Sequence, residues 1–380
     1  MNVALVSVFP EDPQRIVGGV AGAAKYLVDE LIKLPRTTVT VIVPQGADGA
    51  REIEDRGPLR VWRLPREGPW RALPGTLYEL AAGRRQVARA LRSLDPDVVH
   101  VQGSAFLAAA CGPRSVLTIH GIAERDVLWD RRWGPFRWLK KGLLTATEDY
   151  GRRRSRNVIL ISEAAASVLR PDPERRVWRI PNPIADSFFA VERRPAAGRI
   201  FCCSRVTPLK NIVGLIRAFA ADAARRPGAE LRLAGAAEGS YLADCRAEAE
   251  RLGVGPRVRF LGSLSVPEVQ EELAAAEVFA LPSFQENAPL SLAEAMAAGV
   301  PALAARVGGI PEMVEPGGSG LLVDPWDVRD IGAALRRLLD DAPLREAMSR
   351  RSRELARARY RASEVARRTA EVYRELAREA

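Results

Sequence analysis

Short apolar runs alternate with segments of helical period along most of this chain, and that alternation admits few folds. Parallel strands buried on both faces read as continuous apolar runs, and each needs a helical crossover to reach the next. The runs are Val3 to Val8, Val39 to Val43, Leu59 to Leu64, Val98 to Val101, Val116 to Ile119, Val158 to Ile161 and Val177 to Ile180. The pattern then breaks at PNPIADSFFAVERRPAAG, from Pro181 to Gly198, a stretch of proline and turn formers that reads as a linker. A second series follows at Ile200 to Cys203, Leu231 to Ala234, Val258 to Leu261, Val278 to Leu281, Ala302 to Ala304 and Leu321 to Val323, and the chain ends in polar helix. The expectation is an α/β chain of two doubly wound domains: residues 1–182, a linker over 183–198, residues 199–360, and a helix over 361–380 crossing back onto the first domain. Ligands of such sheets bind at the carboxyl ends of the strands, so the two domains should face each other across a cleft.

Composition removes several classes of function. No apolar stretch reaches the ~20 residues of a membrane-spanning helix without a charge or a proline. The start of the chain enters a strand without a basic head or cleavage signal, which predicts a cytoplasmic protein. Cys111, Cys202, Cys203 and Cys245 lack zinc-type spacing and suit buried thiols in a reducing compartment; with only His100 and His120 present, no metal site is expected. Formal net charge is +10, nearly all of it arginine.

Chemistry is written in the loops after the strands. Gly18 and Gly19 open an amphipathic helix after the first strand, where backbone amides can meet a phosphate; a glycine turn serving packing alone reads equally well. Val17 stands where a dinucleotide fingerprint needs glycine, and no acidic residue closes the strand ending at Val43, so hydride transfer gains little support. Neither a GxxxxGK[ST] loop nor a GxSxG elbow occurs. In the second domain, Pro289 and Gly299 bracket a helix expected over Pro289 to Ala298, which makes Ala288 the N-cap. Alanine offers no oxygen to the first amides, so those near Leu290 and Ser291 suit a phosphate. Glu286 before this helix and Glu294 within it should reach different parts of one ligand, unless Glu294 caps or pairs inside the helix.

Arg205 and Lys210, in CCSRVTPLKN, flank a strand-to-helix turn. Cations are disfavoured at a helix start, so the pair reads as a site for a diphosphate and for the charge on a leaving nucleotide, with a solvated pair as the alternative. His120 leaves its strand in TIHG facing the cleft, whereas His100, inside the apolar alternation DVVHVQG, reads as a satisfied core histidine.

Together with ISE at Ile161 to Glu163, IPNPI, LRLAG, VRFLG, EAMAAGVP, GGIPE and GLLVDP, these motifs resemble, over nearly the whole chain, the family-4 retaining nucleotide-sugar glycosyltransferases of the GT-B fold. The resemblance implies two Rossmann-like domains and sugar transfer from a nucleotide-sugar to an acceptor hydroxyl, metal-independent and with retention. It implies that Arg205 and Lys210 bind the donor diphosphate, Glu294 the ribose hydroxyls and Glu286 the transferred sugar. Gly19 would meet phosphate or sugar through its amide, and His120 would line the sugar or acceptor side. Many relatives carry a glycine where this chain has Asn287, a change expected to alter the wall beside the sugar. A nucleotide-sugar epimerase of the same fold needs acid-base residues that the first domain does not offer. A binding module without turnover fits poorly with intact Arg205, Lys210, Glu286 and Glu294. Acceptor contacts are expected in first-domain loops such as Pro10 to Val17 and Arg66 to Tyr78, whose acceptor class, lipid-linked, polysaccharide or small molecule, carries no readable code.

Nine of the basic residues fall between Arg131 and Arg156 against two acids, interleaved at the start with Trp129, Trp133, Phe136 and Trp138. Residues 129–156 thus suggest peripheral contact with anionic membrane at the inner face, with a solvated helix as the alternative. No nucleic-acid recognition motif accompanies the charge.

Overall fold

The computed structural model describes residues 1–44, 52–66, 68–69, 78–129, 134, 136–237 and 239–378. Two sheets form as the alternation requires. The first runs in the order β3-β4-β2-β1-β5-β6-β7-β8, from β1 (Asn2–Val6), β2 (Thr38–Val43), β3 (Glu52–Arg56), β4 (Leu59–Arg63), β5 (Val98–Gln102), β6 (Ser115–Ile119), β7 (Asn157–Leu160) and β8 (Arg176–Arg179). All of its pairings are parallel except β3 with β4. β3 has no counterpart among the apolar runs because its sequence, EIEDR, is charged; it pairs as a solvated edge through a turn at Gly57.

The second sheet, β11-β10-β9-β12-β13-β14, is wholly parallel and uses β9 (Arg199–Cys203), β10 (Glu230–Ala234), β11 (Val258–Gly262), β12 (Val278–Leu281), β13 (Ala302–Ala305) and β14 (Gly320–Val323). This is the 3-2-1-4-5-6 order, with its switch point between β9 and β12. Side chains such as Phe201, Phe279 and Leu303 are fully buried, so both faces of the sheet carry core.

The chain crosses between the sheets twice, side by side. Ile184 N donates to Tyr360 O at 2.7 Å and Ala362 N to Ile184 O at 3.1 Å, a short parallel bridge between the outgoing and returning strands. The final helix, Ala362–Arg378, then buries Val365, Ala366, Tyr373 and Leu376 against the first sheet and the helix Gly19–Leu31. His100 lies under it as a core residue: Nδ1 meets the Tyr373 hydroxyl at 2.6 Å and Nε2 the Thr118 hydroxyl at 2.7 Å. Burial pushes its pKa down to about 3, so the ring is neutral. Among the described residues no helix is long and apolar enough to cross a membrane.

Candidate active site

β9 and β12 flank the switch point of the second sheet, and their carboxyl ends supply the charged residues. After Cys203 closes β9, Ser204 and Arg205 enter a turn that ends in the one-turn helix Pro208–Lys210; Asn211, at φ 53°, turns the chain into the next helix. After β12, Ser283 to Glu286 lie beside that turn, and Phe284 N donates to Leu209 O at 2.9 Å. Lys210 Nζ therefore meets Glu286 Oε1 at 2.5 Å, and the same oxygen accepts the Ser283 hydroxyl at 2.8 Å. Both side chains of the pair are largely covered, at 14% and 10% exposure, so this is no surface ion pair.

Two helix starts meet across the cavity. The helix Gly19–Leu31 begins at Gly18, whose φ of 94° favours glycine, and no side chain caps it. The helix Leu290–Ala297 begins one residue later than the sequence predicts, with Pro289 rather than Ala288 at the N-cap. Proline's fixed φ serves an extended residue as well as a helical one, and ψ of 122° shows it taking the first role. Pro289 has no side-chain acceptor either, so this end is also uncapped. The two helices approach closely at Gly22, where a Cβ would stand 2.5 Å from Leu290 Cδ2 and that side chain would have to shift. Unbonded amides and aligned peptide dipoles from both domains thus give one cavity a positive potential.

That cavity, about 260 Å³, is lined by Gly18, Gly19, Arg205, Lys210, Glu286, Leu290, Ser291 and Glu294. All the anticipated donor-site residues are brought together there. His120 is not. Its Nε2 is buried without a hydrogen-bond partner, and burial holds the ring neutral, with its pKa down to about 4. What it offers its neighbours is the backbone carbonyl, which accepts the Asn287 amide at 3.0 Å.

Glu294 occupies the opposite environment from Glu286. It is buried and receives the Tyr26 hydroxyl from the first domain at 3.0 Å. Burial raises its pKa to about 7, against a smaller downward pull from that hydrogen bond. A carboxyl so placed accepts or shares hydrogen bonds with hydroxyls rather than neutralising a cation.

Asn287 departs from expectation. Its side chain turns from the cavity to the first domain, where Oδ1 accepts the Ser162 hydroxyl and Nδ2 donates to the carbonyls of Ile119 and His120 at 3.2 and 3.0 Å. It ties the domains together instead of forming the sugar wall. Glu312 does likewise at the start of the short helix Glu163–Val168, accepting Glu163 N and Ala164 N at 2.7 and 3.0 Å. The sequence reading missed Tyr26 and Asp126. The first looks like one more core residue of an amphipathic helix, and the second like a solvated acid; nothing in either's local sequence announces a partner in the other domain. Among the described residues no three His, Cys, Asp or Glu side chains gather as a metal site.

Residues 17–188 match the family described as Glycosyltransferase Family 4, and residues 185–355 match Glycosyl transferases group 1, together running through both domains. The chain belongs to the family-4 glycosyltransferases of the GT-B fold. A D-inositol 3-phosphate glycosyltransferase from Nocardioides sp. is 32% identical over 245 residues, 61% of this chain and 53% of that protein, so the chain spans about half the length of that curated relative. A GDP-mannose-dependent alpha-(1-6)-phosphatidylinositol monomannoside mannosyltransferase from Mycobacterium tuberculosis is 28% identical over 384 residues, 95% of each protein. In solved structures, sucrose-phosphate synthase from Thermosynechococcus elongatus shares the fold with a TM-score of 0.83 at 20% identity over 100% of both chains. HepE from Anabaena, in complex with UDP-glucose, does so at 0.71 and 19% over 99% of this chain and 100% of its own.

Proposed function

We propose that this family-4 glycosyltransferase moves a sugar from a nucleoside-diphosphate donor to an acceptor hydroxyl, with retention and without a metal ion. The observation that carries the reading is the convergence of Arg205, Lys210 and two uncapped helix starts on one cavity that also holds Glu286 and Glu294. A diphosphate fits that positive end, and the cations offset charge on the leaving group as the bond to the anomeric carbon loosens. The same charges do the work a divalent ion performs in other transferases, which supports the metal-free part. Glu286, held by Lys210 and Ser283, faces the transferred sugar, and Glu294 faces the ribose. Gly19 presents its amide to phosphate or sugar. Retention rests on the resemblance to family-4 enzymes.

A panel of UDP- and GDP-sugars tests the donor. At least one should raise the unfolding midpoint, since only the native state binds it, and should release nucleotide in EDTA with the product anomer matching the donor. No shift with any of them would remove the donor reading.

The acceptor side is proposed to lie at an anionic membrane surface, as a peripheral contact on the cytoplasmic face. Phe136, Trp138, Leu139 and Leu143 are 66%, 59%, 75% and 36% exposed beside Arg137, Lys140 and Lys141, an arrangement that suits headgroups and acyl chains. The rest of the basic segment is otherwise engaged: Arg152 is buried with Glu124 at 2.5 Å, Arg153 bonds Asp149, and Arg156 meets Glu174 at 3.2 Å. Arg131, Arg132 and Trp133 lie outside the described residues. Flotation with phosphatidylglycerol vesicles should carry the protein at low salt and lose it on the double change Trp138→Ala, Leu139→Ala. Absence of flotation by the unchanged protein would retire the membrane contact.

A further inference from the structure

A first-domain carboxylate that the donor site does not use is hydrogen-bonded to the second-domain loop that carries Glu286. Asp126 closes the short helix Ala123–Asp126, six residues beyond His120 at the carboxyl end of β6. Its Oδ1 accepts Gln285 Nε2 from the second domain at 2.6 Å, and Gln285 is the residue before Glu286. Among the described residues, Oδ2 takes no hydrogen bond and Asp126 has no ion pair, unlike the neighbouring Glu124, which is locked to Arg152. Oδ2 lies beside Gly121, the residue after His120, at 3.9 Å from where a Cβ on that glycine would stand.

Four charged groups and burial set the character of this carboxyl. Lys210 and Arg205 pull its pKa down, Glu286 and Glu124 push it up, and burial, the largest influence, leaves it at about 6. Through Gln285 the carboxyl is anchored one residue from Glu286, the partner of Lys210, which places it at the end of the cleft where the leaving diphosphate is assigned. With retention, the acceptor attacks from that same side.

Building on the transferase reading, we propose that Asp126 is the acceptor-side catalytic carboxylate, which orients the attacking hydroxyl through Oδ2 and receives its proton. The hydroxyl oxygen forms the new bond to the anomeric carbon. The bond from that carbon to the diphosphate oxygen breaks, and its electron pair leaves with the nucleotide beside Arg205 and Lys210. The proton passes to Asp126 and returns to solvent when the product departs. Gln285 is then a positioning residue, since it holds Oδ1 and sets the direction of Oδ2 only when the domains are together.

The test uses the full chain and the donor of the panel that binds it, with water as the acceptor, and reads nucleotide release. Asp126→Asn should lower kcat at least 100-fold while the calorimetric Kd for UDP or GDP stays within threefold, because the carboxylate lies off the nucleotide. Wild-type kcat should rise with pH through about 6, and this limb should vanish in Asp126→Asn. Asp126→Glu should recover part of the rate, which separates chemistry from folding. Turnover in Asp126→Asn within threefold of wild type overturns the proposal, as does an unchanged acid limb. So does a wild-type protein that binds donor yet releases no nucleotide into water, since a proton acceptor serves water as it serves an alcohol. Failure of every nucleotide to bind wild type would instead remove the donor reading.

Discussion

The two ends of the cleft hold the same residue type, eight positions apart in sequence, in opposite electrostatic settings. At one end Glu286 is met by a lysine and a hydroxyl, with Asp126 near by from the other domain. At the other, Glu294 sits among buried side chains with Tyr26 as its hydrogen-bond donor. On the proposed function the first end would manage charge during the reaction and the second would recognise hydroxyls; the second keeps a carboxyl buried without a cation. The spacing is what divides them, because Glu286 precedes the helix start and Glu294 lies inside the helix on its covered face.

Breaking the charged end should have the larger effect. Lys210→Ala removes a preorganised cation from the leaving group and strips Glu286 of its partner, so kcat should fall on the order of a hundredfold, about 3 kcal/mol of barrier. Unfolding should remain cooperative, because the core clusters on both faces of the second sheet are untouched. Near-normal nucleotide release in that variant would erase the contrast between the two ends.

The end around Glu294 is tested in stability rather than in rate. A carboxyl whose pKa is about 7 folded and ordinary when unfolded binds more protons in the native state between those values, so stability falls as pH rises through that window. Glu294→Gln keeps an acceptor for Tyr26 but carries no charge. It should therefore be more stable than wild type at pH 8, by roughly 3 kcal/mol on the conversion of pKa to free energy, and nearly equal at pH 5. Its affinity for the nucleotide should drop. Equal stability at both pH values would show that Glu294 pays no desolvation cost.

Much of this was legible in one dimension. Apolar runs located every parallel strand, because strands buried on both faces can use little else. The edge strand β3 escaped, since a solvated edge is free to be charged. The convergence of Gly18, Arg205, Lys210 and Glu286 on one cavity was legible because each follows a strand or precedes a helix, where backbone geometry dictates what a side chain or an amide can face, and Glu294 was legible from its spacing to Glu286. For His120 the same logic reaches less far, because leaving a strand at the cleft edge fixes where the backbone emerges but not where the ring packs; its Nε2 is buried without a hydrogen-bond partner.

The sequence by itself determined two parallel sheets, their strand ends and a helix start without a side-chain cap at each, since those follow from periodicity and local hydrogen-bonding needs. Only the tertiary structure decided which residues of one domain meet those of the other: Tyr26 with Glu294, Asp126 with Gln285, and Asn287 with the carbonyls of β6 and the loop beyond it. Such pairs lie up to 268 residues apart in sequence, and no local preference encodes a partner at that distance. They form because two folded surfaces, held by one double crossing of the chain, bring them within hydrogen-bond reach.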